Sequence, residues 1–219
     1  MDRLESRKAL ALFCYLCCQA RPVPRRELTE VFWGDKPEAR GRANLSRVLH
    51  GVNRSAPGVL QADRQSVRLF RDRVWLDVVR WEELVAAGRP QSLAAAVKLW
   101  RGPFMTGMEA PHCPEFELWL TGEQERWRQR QAQILEHLVA HHMDRGEYEA
   151  GLRYAEQLLV LDPWQEEIRR QIMLMLQAMF ANRLARLNPR ARRLLEVAAV
   201  LGRSFSYGAL AHVSGEPPE

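Results

Sequence analysis

The stretch of residues 37–54 constrains the fold of this chain more than any other, because its apolar residues fit one side of a helix. Four of them are spaced at i, i+3, i+4 and i+7, namely Leu45, Val48, Leu49 and Val52. At about 100° per residue this spacing brings the four side chains together and predicts a buried stripe. The helix must therefore pack against other elements along one side and face outward along the other.

The outward side of this predicted helix is basic, and the sequence has no acidic residue between Arg40 and Arg54. A solvated helix normally mixes charges of both signs, although an ordinary solvated Arg face remains an alternative. An all-basic side favours contact with phosphates and base edges, where an Arg can bind guanine through two hydrogen bonds. The candidates for DNA contact on or beside this side are Arg40, Arg42, Asn44, Arg47, His50 and Arg54.

Two further helices are predicted before this one, over residues 6–19 and 25–33, with a Pro-rich break at 21–24 between them. Residues 59–62 and 66–70 predict a hairpin, and residues 74–76 predict a short extra strand. Three helices followed by a basic hairpin predict a winged helix, in which one helix enters a DNA groove and the hairpin contacts the backbone. The hairpin residues expected to hold phosphates are Arg64, Arg68 and Arg71.

The net charge is divided unevenly along the chain. Residues 1–80 hold sixteen Lys/Arg and nine Asp/Glu, a net charge of +7, whereas residues 81–180 hold ten and fifteen, a net charge of −5. An excess of positive charge on a small module is typical of a domain that binds a polyanion. The acidic middle cannot share that role, so two modules with two partners is the simplest interpretation.

From residue 77 onward the periodicity predicts helices almost throughout, over 79–87, 92–100, 115–144, 147–161 and 164–179. Small residues around Gly151, followed by Leu161-Asp162-Pro163, resemble the end of a tetratricopeptide repeat, in which small residues let paired helices approach. Such arrays usually bind proteins, although a plain helical bundle that spaces or dimerises its neighbour fits as well. The fold class is therefore mainly α, a winged helix-turn-helix followed by a TPR-like helical domain.

Two stretches of the chain match motifs for catalysis or metal binding only in part. Residues 102–107 have the glycine spacing of a phosphate-binding loop, but Met108 and Glu109 stand where Lys and Ser/Thr are required. His137 and His141 have the spacing of a zinc peptidase, but Leu138 replaces the Glu that would act as general base. These departures favour a protein that is not an enzyme and needs no cofactor.

The cysteines predict neither a metal site nor a disulfide framework. Cys14, Cys17 and Cys18 lie among apolar residues and Cys113 is far away in sequence, so no second ligand pair is available for zinc. We expect buried, reduced thiols, as in a cytoplasmic protein. The apolar stretch 9–18 is expected to be a buried helix rather than a leader peptide, and no run reaches the roughly 18 apolar residues of a membrane span.

Taken in order along the chain, several blocks resemble a known family. Residues 7–16, 26–33 and 39–45 are similar to the OmpR-type winged helix of SARP-type bacterial transcriptional activators. The blocks that resemble the bacterial transcriptional activation domain that follows it are Val74-Trp75-Leu76-Asp77, residues 99–104, Trp119-Leu120 and Leu161-Asp162-Pro163 with Glu166. The resemblance implies an activator that binds specific double-stranded DNA, often at repeated sites with self-association, and contacts RNA polymerase.

The resemblance also implies a division into three parts. Residues 1–78 would be the DNA-binding domain without its usual N-terminal β-sheet, and residues 79–180 the activation domain. Residues 181–219 would be a partial helical segment, because 184–202 with Ser204-Phe205-Ser206 resembles the part that follows the ATPase module of large members. In that interpretation the chain is a truncated or deleted relative that lacks the ATPase. A helical adaptor, or an inactive regulator with only non-specific DNA affinity, is the alternative.

Overall fold

The computed structural model describes residues 7–201 and shows a mainly helical chain, which confirms the predicted mainly α class. The chain divides into two compact units, Met1–Leu138 and Val139–Glu219. Within the described residues, none of the helices is long and apolar enough to cross a membrane. The helices of the first unit are α1 (Arg7–Cys18), α2 (Arg25–Trp33), α3 (Glu38–Ser55), α4 (Asp77–Ala86) and α5 (Pro90–Leu99), followed by α6 (Pro114–Asp144), whose last residues belong to the second unit. Those of the second unit are α7 (Tyr148–Leu161), α8 (Glu166–Ala185) and α9 (Pro189–Leu201).

The first three helices pack through the apolar sides that the sequence predicts. On α3, Leu45, Leu49 and Val52 are buried and Val48 is half-buried, so the predicted stripe is confirmed. Helix α3 also runs to Ser55 without interruption, although Gly51 lowers the helix propensity of its last turns. The buried stripe orients the helix, because it leaves only the opposite side for solvent.

A three-stranded antiparallel sheet follows, with strand order β1 (Val23–Pro24), β3 (Ser66–Leu69), β2 (Leu60–Ala62). The predicted hairpin is confirmed, since Leu60 lies opposite Leu69 and Ala62 lies opposite Val67. Side chains alternate along β3, so Val67 and Leu69 are buried while Arg68 faces solvent.

The predicted strand at residues 74–76 is wrong. Residues 71–73 form a 3-10 turn, and residues 74–76 then lead into α4 without pairing to the sheet. The third strand comes instead from the Pro-rich segment that was predicted only as a break, because Val23 pairs with Val67 and Pro24 with Ser66. Proline lacks an N–H, which a strand tolerates at the edge of a sheet.

The core of the first unit includes residues far apart in sequence. Phe116, at the start of α6, is fully buried, with its ring centroid 5.1 Å from that of Phe32 on α2. The Cys113 thiol donates a hydrogen bond to the Phe32 carbonyl at 3.3 Å. Leu120 and Ala110 belong to the same buried cluster. The helices before residue 78 therefore share one apolar core with the start of α6.

A second buried cluster joins α4 to the middle of α6. The Trp81 indole N–H donates to the amide oxygen of Gln131 at 3.2 Å, which satisfies two polar groups that are both buried. The Arg130 guanidinium lies over the rings of Trp81 and Trp127 and donates to Glu82 at 3.1 Å. These contacts hold α4 against α6.

The second unit is built on the pairing of α7 with α8. Gly151 is buried on α7, and a Cβ added there would lie 2.7 Å from the Met175 sulfur of α8. A small residue is thus required for the close approach, as the resemblance to a tetratricopeptide repeat predicts. Helix α8 continues to Ala185, so the end predicted at residue 179 is wrong. Residues 202–219, with Ser204-Phe205-Ser206, lie outside the described residues, as does Ser6.

Candidate nucleic-acid interface

The outward side of α3 carries the basic residues that the sequence singles out. Arg40, Arg47, His50 and Arg54 are all exposed on it. Arg42 is exposed on the same helix, and Asn44 is half-buried. Because the buried stripe fixes the rotation of α3, these side chains share a surface that is free of apolar packing.

Two intramolecular contacts on this surface involve exposed groups. Arg42 forms an exposed i,i+4 ion pair with Glu38, and Arg47 donates to the Asn44 side-chain oxygen at 3.2 Å. Exposed ion pairs of this kind are worth only about 0.3–0.5 kcal/mol. Neither contact would prevent the guanidinium groups from binding a phosphate or a base.

The hairpin is closed by a turn that its own aspartate organises. The Asp63 carboxylate accepts hydrogen bonds from the backbone N–H of Gln65 and of Ser66, both at 2.7 Å. These bonds, from Ser66 and then from Gln65, lower the pKa of Asp63 below its usual value. Arg64 is exposed within this turn, and Arg68 is exposed on β3. Both residues can reach a polyanion in front of the hairpin.

Arg71 lies apart from this exposed group. It is half-buried, its guanidinium is 3.8 Å from Glu82, and its Nε is buried without a hydrogen-bond partner. Arg73, also basic and close to the hairpin, donates to the Gly58 carbonyl at 2.6 Å and lies over the Phe70 ring. Arg64 and Arg68 are therefore exposed in or beside the turn, although the Arg68 guanidinium also lies 5.5 Å from the Phe70 ring centroid, while Arg71 and Arg73 approach charged or polar groups of the protein.

Arg25, which no sequence pattern singles out, connects three elements of this surface. From the start of α2, its guanidinium donates to the Asp63 carbonyl at 3.0 Å and to the Ser46 hydroxyl of α3 at 2.9 Å. Its backbone N–H also donates to the Gln65 carbonyl at 2.8 Å. Arg25 therefore holds the hairpin turn beside α3. Its position after two prolines and before a helix is the only sequence signal, and such a position does not predict these partners.

The cysteines are free thiols in apolar surroundings. Cys17 and Cys113 are buried, while Cys14 and Cys18 are half-buried. Desolvation by burial raises the pKa of Cys14 to about 11 and that of Cys18 to about 12, so both stay protonated at neutral pH. Among residues 7–201, no group of three potential metal ligands lies together.

Among the histidines of α6, His142 makes the packing contacts. The His142 ring stacks on Tyr154 with centroids 5.5 Å apart, and its Nδ1 is 2.7 Å from a Glu147 oxygen. Arg145 also donates to Glu147 at 2.9 Å, and hydrogen bonds from Arg145 and from His142 lower the pKa of that carboxyl. His137 is exposed on the same helix, and His141 is half-buried with its ring against His142.

Comparison with known protein families identifies the helical part of the chain. The family model described as the bacterial transcriptional activator domain matches residues 67–196, more than half of the chain. The chain therefore belongs to the bacterial transcriptional activator domain family. This is a family of regulatory domains and not of enzymes. No curated protein matches the chain. The match begins within β3 and ends within α9, so it takes in all of α4 to α8.

Proposed function

We propose that this protein is a sequence-specific, DNA-binding transcriptional activator of the bacterial cytoplasm. The observation that carries the proposal is the basic side of α3, which is exposed along its length while the opposite side is buried. In this proposal α3 enters the major groove, where Arg40, Arg47, His50 and Arg54 contact base edges and nearby phosphates. Arg42 and Asn44 would contact the DNA beside them.

The arrangement of the first unit supports a winged helix. Helices α2 and α3 follow each other closely, and the β2–β3 hairpin lies beside α3 through the Arg25 contacts. In helix-turn-helix proteins the second of two such helices enters the groove, and flanking elements contact the backbone. Arg64 and Arg68 would therefore bind phosphates. Arg71 was expected to do so as well, but its half-buried position favours a structural role.

The helical part would supply the contact with RNA polymerase. Its family is named for transcriptional activation, and α8 exposes large apolar side chains, with Met173 70 %, Leu176 51 % and Phe180 64 % exposed. Contiguous exposed apolar residues often mark protein-binding surfaces. We keep the proposed limits of 1–78 for the DNA-binding domain, 79–180 for the activation domain and 181–219 for a further helical segment. Self-association at repeated DNA sites is part of the proposal.

The test starts from duplexes selected out of a random pool by the full-length protein. If Arg47 contacts a base, Arg47→Ala should weaken binding to the selected duplex by about 1–3 kcal/mol and relax sequence preference. Arg68→Ala should instead weaken binding to all duplexes alike and reduce the salt slope by about one unit. Arg170→Ala is the control, since it removes an exposed Arg of α8 whose partner is Glu167. Unchanged affinity of Arg47→Ala for the selected duplex would refute the assignment of α3.

A helical adaptor is the second candidate, because the exposed apolar residues of α8 fit a protein partner whether or not DNA is bound. A salt titration on random duplex DNA distinguishes the two functions. For a DNA-binding protein, the logarithm of the binding constant falls linearly with the logarithm of the salt concentration, because counterions are released from the DNA. An adaptor that does not bind DNA shows no such slope. Transcription with purified bacterial RNA polymerase then tests activation, with Phe180→Glu expected to reduce transcript yield and to leave DNA binding unchanged.

A further inference from the structure

A cavity of about 340 Å³ lies in the first unit, between the start of α4, the middle of α6 and the loop that follows α5. Its volume is within the range of roughly 300–1,000 Å³ that is usual for small-molecule sites. Aromatic rings supply much of its wall, and the four that line it are Trp81, Trp100, Phe104 and Trp127. The proposed function uses none of these residues.

The loop that closes one side of the cavity is held in place. The Gln124 side-chain amide of α6 donates to the Phe104 carbonyl at 3.0 Å, and the Thr106 hydroxyl donates to the Pro103 carbonyl at 2.6 Å. Phe104 stacks on Trp127 with an angle of 13° between the ring planes and 5.5 Å between centroids. Met105 has a φ of 51°, in the left-handed region that a non-glycine residue seldom adopts. A pinned, strained loop around an open space indicates a preformed site.

Two donors at this cavity have no partner in the part of the chain that the structure describes. Trp100 is half-buried and Arg101 is exposed at the mouth of the cavity; both line it, and neither side chain forms a hydrogen bond or ion pair among the described residues, so both donors face the space. Indole and guanidinium groups can only donate, so they favour a ligand with oxygen acceptors. The Asp77 carboxylate, which accepts the Val78 backbone N–H at 2.8 Å, also lines the cavity, so the lining carries one charge of each sign and favours an uncharged ligand.

We propose that this cavity binds an uncharged, planar aromatic molecule that carries a carbonyl or ether oxygen. Ring stacking and apolar burial would supply most of the affinity, and the donors of Trp100 and Arg101 would orient the oxygen. The site includes the start of α4, which directly follows the hairpin and the 3-10 turn.

The experiment uses Prodan, a neutral naphthalene ketone whose emission changes in apolar surroundings, titrated into the full chain. We expect one saturable site with a dissociation constant on the order of 100 µM, from the usual affinity per ligand atom. Arg101→Ala should weaken binding about fivefold to tenfold, as expected for one lost hydrogen bond. Arg89→Ala, which removes an exposed Arg outside the cavity, should leave the affinity unchanged.

Filling the cavity gives the sharper result. Val78→Phe places a ring in the space beside α4 and should weaken Prodan binding at least tenfold, whereas Val160→Phe, at an exposed position of α7, should not. If Val78→Phe does not fold, Leu99→Trp, at the end of α5 and also lining the cavity, replaces it. Prodan binding that survives a filling variant that folds, or that is lost in Met173→Glu on α8 instead, overturns the proposal. So does the absence of saturable binding below 1 mM (about tenfold weaker than expected).

Discussion

The shared core of the first unit makes a quantitative prediction about Phe116. Its side chain is fully buried against Phe32 and Trp119, with ring centroids 5.1 and 5.5 Å away. Replacing a buried Phe by Ala removes its transfer free energy and leaves a cavity, and typical losses are about 3–5 kcal/mol. Because a domain is stable by only about 5–15 kcal/mol, Phe116→Ala should destabilise the first unit severely.

The measurement is urea denaturation of the full chain, followed by tryptophan fluorescence and far-UV circular dichroism. Leu118→Ala is the matched control, because Leu118 lies two residues along the same helix and is 71 % exposed. Its free energy of unfolding should change by less than about 0.5 kcal/mol. Amide exchange adds a spatial readout, since α1 and α2 should lose protection in Phe116→Ala. A loss below about 1 kcal/mol, or unchanged protection in α1 and α2, would refute the shared core.

Three further predictions concern stability. Gly51→Ala should stabilise the protein by about 0.5–1 kcal/mol in thermal denaturation, because a Cβ there meets nothing within 4 Å and Ala favours a helix; a lowered melting temperature would contradict this. Gly151→Ala should destabilise by about 1–3 kcal/mol, since its Cβ would lie 2.7 Å from the Met175 sulfur, and a neutral effect in the same assay would show that α8 shifts freely. The free energy of unfolding should fall as the pH rises above 9, because the unfolded chain then releases the Cys14 thiol proton. The folded chain still holds that proton, since its Cys14 pKa is raised to about 11. Equal urea midpoints at pH 8 and pH 10.5 would exclude this effect.

The local patterns in the sequence were sufficient to predict the helices of the first unit. The period of Leu45, Leu49 and Val52 places α3 within a residue or two of its observed ends, since a single buried side determines both its length and its rotation. The hairpin was predicted for the same reason, because Val67 and Leu69 alternate with exposed residues. Such signals lie within a few residues of one another and need no knowledge of the rest of the fold.

Features that depend on distant partners were not predictable in this way. Val23 and Pro24 form a strand only because β3 offers an edge, and two residues carry no periodicity. Residues 74–76 alternate between half-buried and exposed, but they pair with none of the strands that the structure describes. The packing of Phe116 on Phe32 joins residues 84 positions apart, and a pattern of apolar residues does not identify such partners.

The same distinction between local patterns and distant partners applies to the candidate interface. The exposure of Arg47 and Arg68 follows from the alternation of buried and exposed positions around them, so sequence was sufficient to predict it. The burial of Arg71 depends on Glu82 of α4, and the role of Arg25 depends on the Asp63 carbonyl and the Ser46 hydroxyl. An Arg in a sequence looks the same whether its guanidinium faces solvent or another element.

The contacts of Arg25 have a consequence for the thermodynamics of recognition. Since its guanidinium bridges the Asp63 carbonyl and the Ser46 hydroxyl, α3 and the hairpin turn would already be positioned for DNA in the proposed function. Ordering a loop during association costs entropy that is subtracted from the affinity, and a surface assembled in advance avoids most of that loss. Association should therefore be fast and nearly rigid, with little change in backbone order between the free and the bound protein.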